Sequence, residues 1–319
     1  MRALITGGMG FIGSNLAHKL VSENNEVTII DSMVPGLGGN DFNIFEIRDN
    51  VKVIKKDIRD EKAIDDAVKG KDCIFHLAGQ VDHKRSMENP LEDVSLRVNG
   101  TISLLEACRK NNQKAKIIFS STRSVYGEVK KVPANEDMPA NPKGMYAITS
   151  LAAEKIIGMY SNLYGMNFTI LRLVNTYGPR HQMKKDYGIV NHFVRQALDR
   201  HPITVMGDGK ILRDYIFVGD ACDAVIRCAV NSKTDGQVIN LGTGKGVSFL
   251  ELAKLIGRMT GSEVKKVEYS RILKQIEPGD FVADISKLKK LTGWSPKMPL
   301  ETGLKITMDF YSKNREKYW

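Results

Sequence analysis

Residues 4–20 read LITGGMGFIGSNLAHKL, and this stretch decides the fold. An apolar run ends at Thr6, glycines follow at positions 7, 10 and 13, and apolar residues then recur at helical spacing. Small residues let the backbone turn tightly and approach a pyrophosphate, while the helix N-terminus offers unpaired N–H groups to the phosphates. A glycine pattern between a strand and a helix therefore predicts a dinucleotide-binding turn.

The first half of the chain continues the alternation of strands and helices. Six short apolar or β-rich runs begin at residues 2, 26, 51, 72, 116 and 167, with helical patterns between them. This order predicts an α/β fold with a Rossmann-type, doubly wound parallel sheet over residues 1–178. The alternation of strands and helices ends after Pro179. Residues 203–220 then resemble two strands around a glycine turn. We expect residues 179–319 to form a smaller mixed C-terminal lobe that is interleaved with the first domain.

Two aspartates follow the second and third predicted strands. Asp31 lies 18 residues after Gly13, where a carboxylate can accept both ribose hydroxyls of adenosine. Because this carboxylate would repel a 2′-phosphate, it favours NAD over NADP. Asp57 either lies near the adenine or caps the next helix, and the sequence leaves both roles open.

Composition limits the class of protein. The 319 residues are 42% hydrophobic and 26% charged, which is ordinary for a globular chain. The net charge of +10 is spread along the chain, so nucleic-acid binding is less expected than an anionic small ligand. No apolar run reaches the roughly 20 residues of a membrane span. Four scattered cysteines and no visible signal peptide favour a cytoplasmic protein, and no metal site is expected.

Seven motifs, of which the glycine turn is the first, occur in order along the chain. They are TGGMGFIG, DIRD, HLAG, NGTISLLEAC, FSSTRSVYG, YAITSLAAEK and LRLVNTYGPR. With them the chain resembles the extended short-chain dehydrogenases/reductases, and within these the nucleotide-sugar epimerases and dehydratases similar to UDP-glucose 4-epimerase. The resemblance implies NAD in the first domain and a nucleotide-diphosphate sugar in the second. It also implies a homodimer formed through the helices that contain residues 96–108 and 150–160.

Matched residue by residue, the resemblance implies three sets of site residues. The catalytic set is Thr122, Tyr146 and Ser150. The cofactor-binding set is Gly7, Gly10, Phe11, Ile12, Gly13, Asp31, Asp57, Ile58, Leu77, Ala78, Gly79, Asn99, Ser120 and Tyr146. The substrate-binding set is Gln80, Thr122, Asn175, Arg180, Arg213 and Arg271.

Ser150 is the main departure from the family pattern. Tyrosine ordinarily ionises near pH 10, so a tyrosine that acts as a base near neutrality needs its phenolate stabilised. The family does this with a lysine four residues later, where this chain has Ser150. A serine can donate to a ribose hydroxyl but lends no charge. The charge of NAD, Lys143 or a water network would have to compensate, whereas Lys155 should point to the other helix face.

Two more departures bear on the reaction and the substrate. Dehydratases and decarboxylases of the family carry an acid one or two positions after the hydroxyl residue, but here Arg123 and Ser124 follow Thr122. The missing acid favours an epimerase. Glu277 replaces an arginine that usually pairs with the pyrophosphate, so we expect Glu277 to point elsewhere, towards ribose hydroxyls or solvent.

Two alternatives to the epimerase stay open. One is a dehydratase or a reductase on the same scaffold, which would release a keto sugar or change the redox state of the nicotinamide. The other is an NAD-binding sensor or scaffold with weak or no catalysis, which the serine at position 150 would suit. The hydroxyl groups of Thr122 and Tyr146 argue against the second alternative.

Overall fold

The computed structural model describes residues 1–183, 188–268 and 277–319. Within them lie twelve strands: β1 (Arg2–Thr6), β2 (Glu26–Ile30), β3 (Val51–Ile54), β4 (Cys73–His76), β5 (Lys116–Thr122), β6 (Phe168–Leu173), β7 (Asn175–Tyr177), β8 (Ile203–Met206), β9 (Leu212–Phe217), β10 (Gln237–Leu241), β11 (Gly246–Ser248) and β12 (Val264–Val267).

Helices connect these strands. The α-helices are α1 (Phe11–Ser22), α2 (Glu61–Val68), α3 (His83–Glu88), α4 (Pro90–Val94), α5 (Gly100–Asn111), α6 (Met145–Tyr164), α7 (Ile189–Leu198), α8 (Val218–Ala229), α9 (Phe249–Thr260), α10 (Ser286–Thr292), α11 (Leu300–Lys313) and α12 (Arg315–Tyr318). The 3₁₀ segments are Asp41–Asn50, Arg123–Tyr126 and Ser232–Thr234, and Ser95–Asn99 is a π-helical turn.

The main sheet confirms the predicted fold class. Seven strands, all parallel, run in the order β10-β6-β5-β4-β1-β2-β3. Helices cover both faces, so the strands are buried runs of apolar residues. Along β1, Leu4 belongs to the hydrophobic cluster on one face and Ile5 to the cluster on the other. The chain order reverses on either side of β1, which is where doubly wound sheets bind ligands.

The seventh strand of the main sheet comes from the second half of the chain. Residues 237–241 form β10, which pairs in parallel with β6. The six strands predicted from the first half are all present, but β10 was not predicted as part of this sheet. The second half of the chain therefore returns to the first sheet.

The prediction that the two strands within residues 203–220 pair with each other is wrong. Both strands exist, but β8 pairs with β12, whereas β9 lies between β7 and β11. The glycine turn between them joins two small sheets instead of closing a hairpin. A third hydrophobic cluster, which includes Phe193, Tyr215 and Leu252, fills the space around these sheets. No helix in the described parts of the chain has the length and apolar character to cross a membrane.

Candidate functional site

A long pocket opens at the carboxyl ends of the parallel strands, beside the switch point at β1. Every residue predicted to bind the cofactor lines it except Asn99, and so does Thr122. Further lining residues that the sequence did not single out include Leu96, Arg97, Val174 and Thr176. The turns after β1, β2, β3, β4 and β5 thus meet in one cleft, as expected for a sheet of this topology.

The glycine turn after β1 fits a dinucleotide. Gly7 adopts a φ of +72°, which favours glycine, and a Cβ there would lie 2.9 Å from the backbone of Ala78 in the turn after β4. A Cβ at Gly13 would lie 2.3 Å from the carbonyl oxygen of Gly7. The absent side chains leave the backbone of the turn open, and α1 begins at Phe11 with no acidic residue in its first turn. The positive end of the helix dipole therefore faces the pocket without a competing carboxylate.

Replacing Gly13 with alanine tests this turn. Its Cβ would meet backbone atoms that have no room to move, so we expect a loss of about 1–3 kcal/mol in the free energy of unfolding. Gly10→Ala is the matched control in the same turn, because its Cβ would approach the Gly7 oxygen only to 3.3 Å. Urea denaturation of both variants checks the difference. Equal stability of the two variants would contradict the close approach at position 13.

The two aspartates lie at the far end of the pocket. The carboxylate of Asp31 accepts N–H bonds from Met9 (3.0 Å) and Met33 (2.9 Å), and burial raises its pKa. Asp57 forms an ion pair with Arg59 at 2.6 Å, which lowers its pKa. The alternative role of Asp57 as a helix cap is wrong, because Asp60 caps α2 through the N–H of Ala63.

The two candidate proton-transfer residues lie nearer the other end. Thr122 ends β5, is 7% exposed, and its hydroxyl accepts the N–H of Ser124 at 3.1 Å. Tyr146 is in the first turn of α6, and its N–H donates to the Ser86 hydroxyl at 3.2 Å. The Tyr146 ring packs edge-on against His83, with 4.7 Å between the ring centroids. A phenol and an aliphatic hydroxyl therefore line one pocket with the dinucleotide turn.

The comparisons with known proteins agree with this geometry. A family model described as GDP-mannose 4,6 dehydratase matches residues 4–307. The chain belongs to this family of sugar-nucleotide epimerases and dehydratases. It is 34% identical to a UDP-glucose 4-epimerase of Mycolicibacterium smegmatis over 98% of each chain. It is also 34% identical to a UDP-N-acetyl-alpha-D-glucosaminuronate decarboxylase of Bacillus cytotoxicus over 97% of each chain.

A solved structure extends the likeness. The UDP-glucose 4-epimerase of Thermus thermophilus in complex with NAD superposes with a TM-score of 0.87 at 30% identity, covering 98% of this chain and 99% of that chain. The family and the fold are therefore as predicted. Epimerases and decarboxylases occur together among the relatives, so membership of the family does not by itself choose the reaction.

Ser150 is not among the residues that line the pocket. Its side chain is fully buried, and its hydroxyl donates to the carbonyl oxygen of Tyr146 at 2.7 Å. Helix geometry thus gives the hydroxyl an acceptor one turn back, and the bond from Ser150 to a ribose stays a prediction. Two lysines were considered as substitutes for the cation that position 150 lacks. Lys143 pairs with Glu128 at 2.7 Å, and Lys155 is exposed on the other face of α6.

Asn99 also lies outside the pocket. It is exposed at the end of the π-helical turn, whereas Leu96 and Arg97 of the same turn face the cleft. The sequence carried a signal for this, because Arg97 lies seven and eleven residues before Leu104 and Cys108 and so shares the apolar face of the predicted helix. A charged residue on a buried face is a candidate for a role in the site.

Two of the predicted substrate residues make internal contacts instead. Gln80 is 2% exposed, and its amide donates to Asp93 at 2.6 Å. Arg180 donates to Asn15 (3.2 Å) and pairs with Glu46 (3.0 Å). Neither side chain is among the residues that line the pocket, and a substrate role for either stays a prediction. Their polar groups bind other parts of the protein, which local sequence patterns do not reveal.

Another predicted substrate residue, Arg213, belongs to an ion pair. Arg213 is 2% exposed and forms an ion pair with Glu277, and its guanidinium also donates to the carbonyl oxygen of Leu212 at 2.8 Å. The Glu277 carboxylate is thus paired with Arg213, and its side chain is 21% exposed. Asn175 accepts a bond from Arg123 at 3.0 Å and lies between the pocket residues Val174 and Thr176. Arg271 lies outside the described residues.

Proposed function

We propose that the protein is an NAD-dependent epimerase of a nucleotide-diphosphate sugar. The observation that carries the proposal is the distribution of carboxylates in the pocket. Among the described residues that line it, only Asp31 and Asp57 are acids, and they follow β2 and β3. Thr122 is the last residue of β5, three strands from β2, so about 14 Å of sheet separates it from Asp31. Among the described lining residues, no acid therefore lies next to Thr122, where a dehydratase would need one to protonate the leaving water.

NAD is the cofactor that this pocket fits. The glycine turn and the N-terminus of α1 would hold the pyrophosphate, and Asp31 the adenosine ribose. Bound there, NAD would supply the hydride acceptor for the sugar carbon that bears the reacting hydroxyl and would return the hydride to the same carbon. The backbone bonds from Met9 and Met33 fix the Asp31 carboxylate at the ribose end, where a 2′-phosphate would be repelled.

Tyr146 and Thr122 would handle the proton. The phenolate of Tyr146 takes the proton of the sugar hydroxyl as the carbon is oxidised, and the phenol returns it after the other face is presented. The hydroxyl of Thr122 donates to the same sugar oxygen and holds it near Tyr146. The reaction begins and ends at the same oxidation state, so no external reductant is needed.

The substrate and the assembly are proposed on separate grounds. The relative from Mycolicibacterium smegmatis is a UDP-glucose 4-epimerase, which supports a uridine-linked hexose as the first substrate to test. A homodimer is supported by large apolar side chains that α5 and α6 expose, namely Ile102, Ile148, Met159 and Leu163. Sedimentation of the purified chain as a monomer would contradict the dimer.

The test of function uses the purified protein as isolated. Mass spectrometry of the ligands that it releases on denaturation should detect NAD. Incubation with a panel of nucleotide sugars, followed by NMR, should then give an isomer of one of them with no NADH accumulating. A stable 4-keto product would indicate a dehydratase, and net NADH formation a dehydrogenase. Retained NAD without turnover on any sugar would favour the sensor or scaffold.

A further inference from the structure

Arg97 places a cation against the Tyr146 ring. The carbon at the centre of its guanidinium lies 5.3 Å from the ring centroid, and the residue is 3% exposed. Arg97 lines the same pocket as Tyr146 and Thr122. The negative charge of a phenolate is partly delocalised into its ring, so a cation over the ring face, screened little by water, favours the ionised form.

The backbone around Arg97 accommodates its guanidinium at Gly79 and Gln80. Gly79 has a φ of +150°, and a Cβ there would lie 2.7 Å from the central guanidinium carbon, so only glycine leaves room for the group. One terminal nitrogen donates to the carbonyl oxygen of Gln80 at 2.6 Å. The residue sits in the π-helical turn Ser95–Asn99, a kind of irregularity that is frequent at functional sites.

One N–H of Arg97 has no acceptor within the protein. Its Nε is buried and makes no hydrogen bond to any of the described residues. Buried donors of charged groups are almost always paired, so an unpaired one in a ligand pocket calls for a functional explanation. The charge also acts on its neighbourhood, because burial and the charge of Arg97 lower the pKa of His76 to about 3.

We propose that Arg97 supplies the positive charge that stabilises the phenolate of Tyr146, and so replaces the cation that position 150 lacks. The inference rests on the proposed function, since Arg97 acts through Tyr146 and is a positioning residue. The phenolate oxygen accepts the proton of the sugar hydroxyl and becomes a neutral phenol. The reverse transfer restores the charge pair with Arg97.

Other charged or titratable groups face Tyr146 from the elements packed against it. His83 contacts its ring from α3 at 4.7 Å, and Arg123, from the segment after β5, is close enough to interact with it electrostatically. The guanidinium of Arg123 donates to Asn175, and its central carbon lies 5.5 Å from the ring centroid of Phe281. Because His83 contacts the Tyr146 ring directly, His83→Asn is the matched control for the effect of a neighbouring titratable group.

The first experiment compares Arg97→Gln with Arg97→Lys in the NAD-loaded enzyme. We expect Arg97→Gln to shift the pH profile of kcat by about one to two pH units towards alkaline pH, because an opposite charge at this range has effects of that size. Arg97→Lys should recover most of the shift, and His83→Asn should not reproduce it. A fall in kcat without movement of the profile would overturn the proposal.

A second readout needs no substrate. Carbon-13 NMR of labelled tyrosines, with the Tyr146 signal assigned by its loss in Tyr146→Phe, follows phenolate formation with pH. Arg97→Gln should move this titration in the same direction as the kcat profile. If the protein turns over no sugar but the titration moves, the proposed function fails and the role of Arg97 stands. An unmoved titration in the folded variant overturns the role of Arg97 whatever the reaction.

Ser150→Lys keeps the proposal testable if Arg97→Gln does not fold. Where Arg97 already supplies the charge, the added lysine should shift the titration by less than about half a pH unit. An acid shift of about one unit or more would show that the tyrosine lacked a cation, and would overturn the proposal. In the Arg97→Gln background, when that protein folds, Ser150→Lys should restore the original profile.

Discussion

Replacing Tyr146 with phenylalanine should lower kcat by about 10²–10⁴-fold, because the variant loses the group that moves the proton. The ring remains, so its contacts with His83 and Arg97 and the start of α6 should be kept. Bound NAD should therefore stay with the protein. Steady-state rates at saturating sugar and the NAD content after gel filtration are the two measurements.

Tyr164→Phe is the control for Tyr146→Phe. Tyr164 ends the same helix, is 39% exposed and lies outside the pocket lining, so its loss should change kcat little. If the Tyr146 variant turned over the sugar at close to the wild-type rate, another group would have to be the base. The assignment of Tyr146 would then be wrong even though the family and the fold are right.

The second large effect is expected on stability, from Glu154→Ala. Glu154 of α6 accepts two hydrogen bonds from Arg172 of β6, at 3.0 and 2.7 Å, and these side chains are 3% and 7% exposed. Removing the carboxylate leaves the Arg172 charge buried without its partner. Such a loss typically costs about 3–5 kcal/mol. Denaturation by urea should show it as a much lower midpoint.

A matched surface pair provides the comparison. Glu128 and Lys143 also lie 2.7 Å apart, but their side chains are 66% and 43% exposed, so Glu128→Ala should cost no more than about 1 kcal/mol. Glu154→Gln, which keeps the shape and one acceptor, should fall between the two. Equal midpoints for Glu154→Ala and Glu128→Ala would contradict the importance of the buried pair.

The buried pair also bears on the site. Glu154 accepts a hydrogen bond from the Ser121 hydroxyl, next to Thr122, and lies eight residues after Tyr146 on the same helix. The carboxylate thus ties α6 to β5 and β6, and α6 and β5 carry the two proton-transfer residues. A partly folded Glu154 variant should lose activity before it loses secondary structure.

The sequence predicted the parts of the structure that depend on local pattern. The strand and helix periods, the glycine turn and Asp31 require only residues near in sequence, and all of them lie where the pattern placed them. The strand β10 was missed because its partner β6 lies more than 60 residues earlier. The pairing of β8 with β12 instead of β9 was missed for the same reason.

The site residues were harder to predict where a polar side chain could bind either a ligand or another group of the protein. Arg213 resembles a phosphate clamp, yet its guanidinium pairs with Glu277 across 64 positions of the chain. Ser150 was expected to donate to a ribose, but its hydroxyl donates to the carbonyl oxygen of Tyr146. Arg97 was missed because the family pattern directed attention to position 150 and not to the π-helical turn on the other side of Tyr146.

The central claim is that one hydride leaves and returns to the same sugar carbon. The direct measurement is to run the isomerisation to equilibrium in D2O and to analyse the product by NMR and mass spectrometry. The account predicts a new isomer with no deuterium at the inverted carbon, since the hydride never exchanges with solvent. Deuterium at that carbon would show inversion by proton abstraction and enolisation, and would contradict the account.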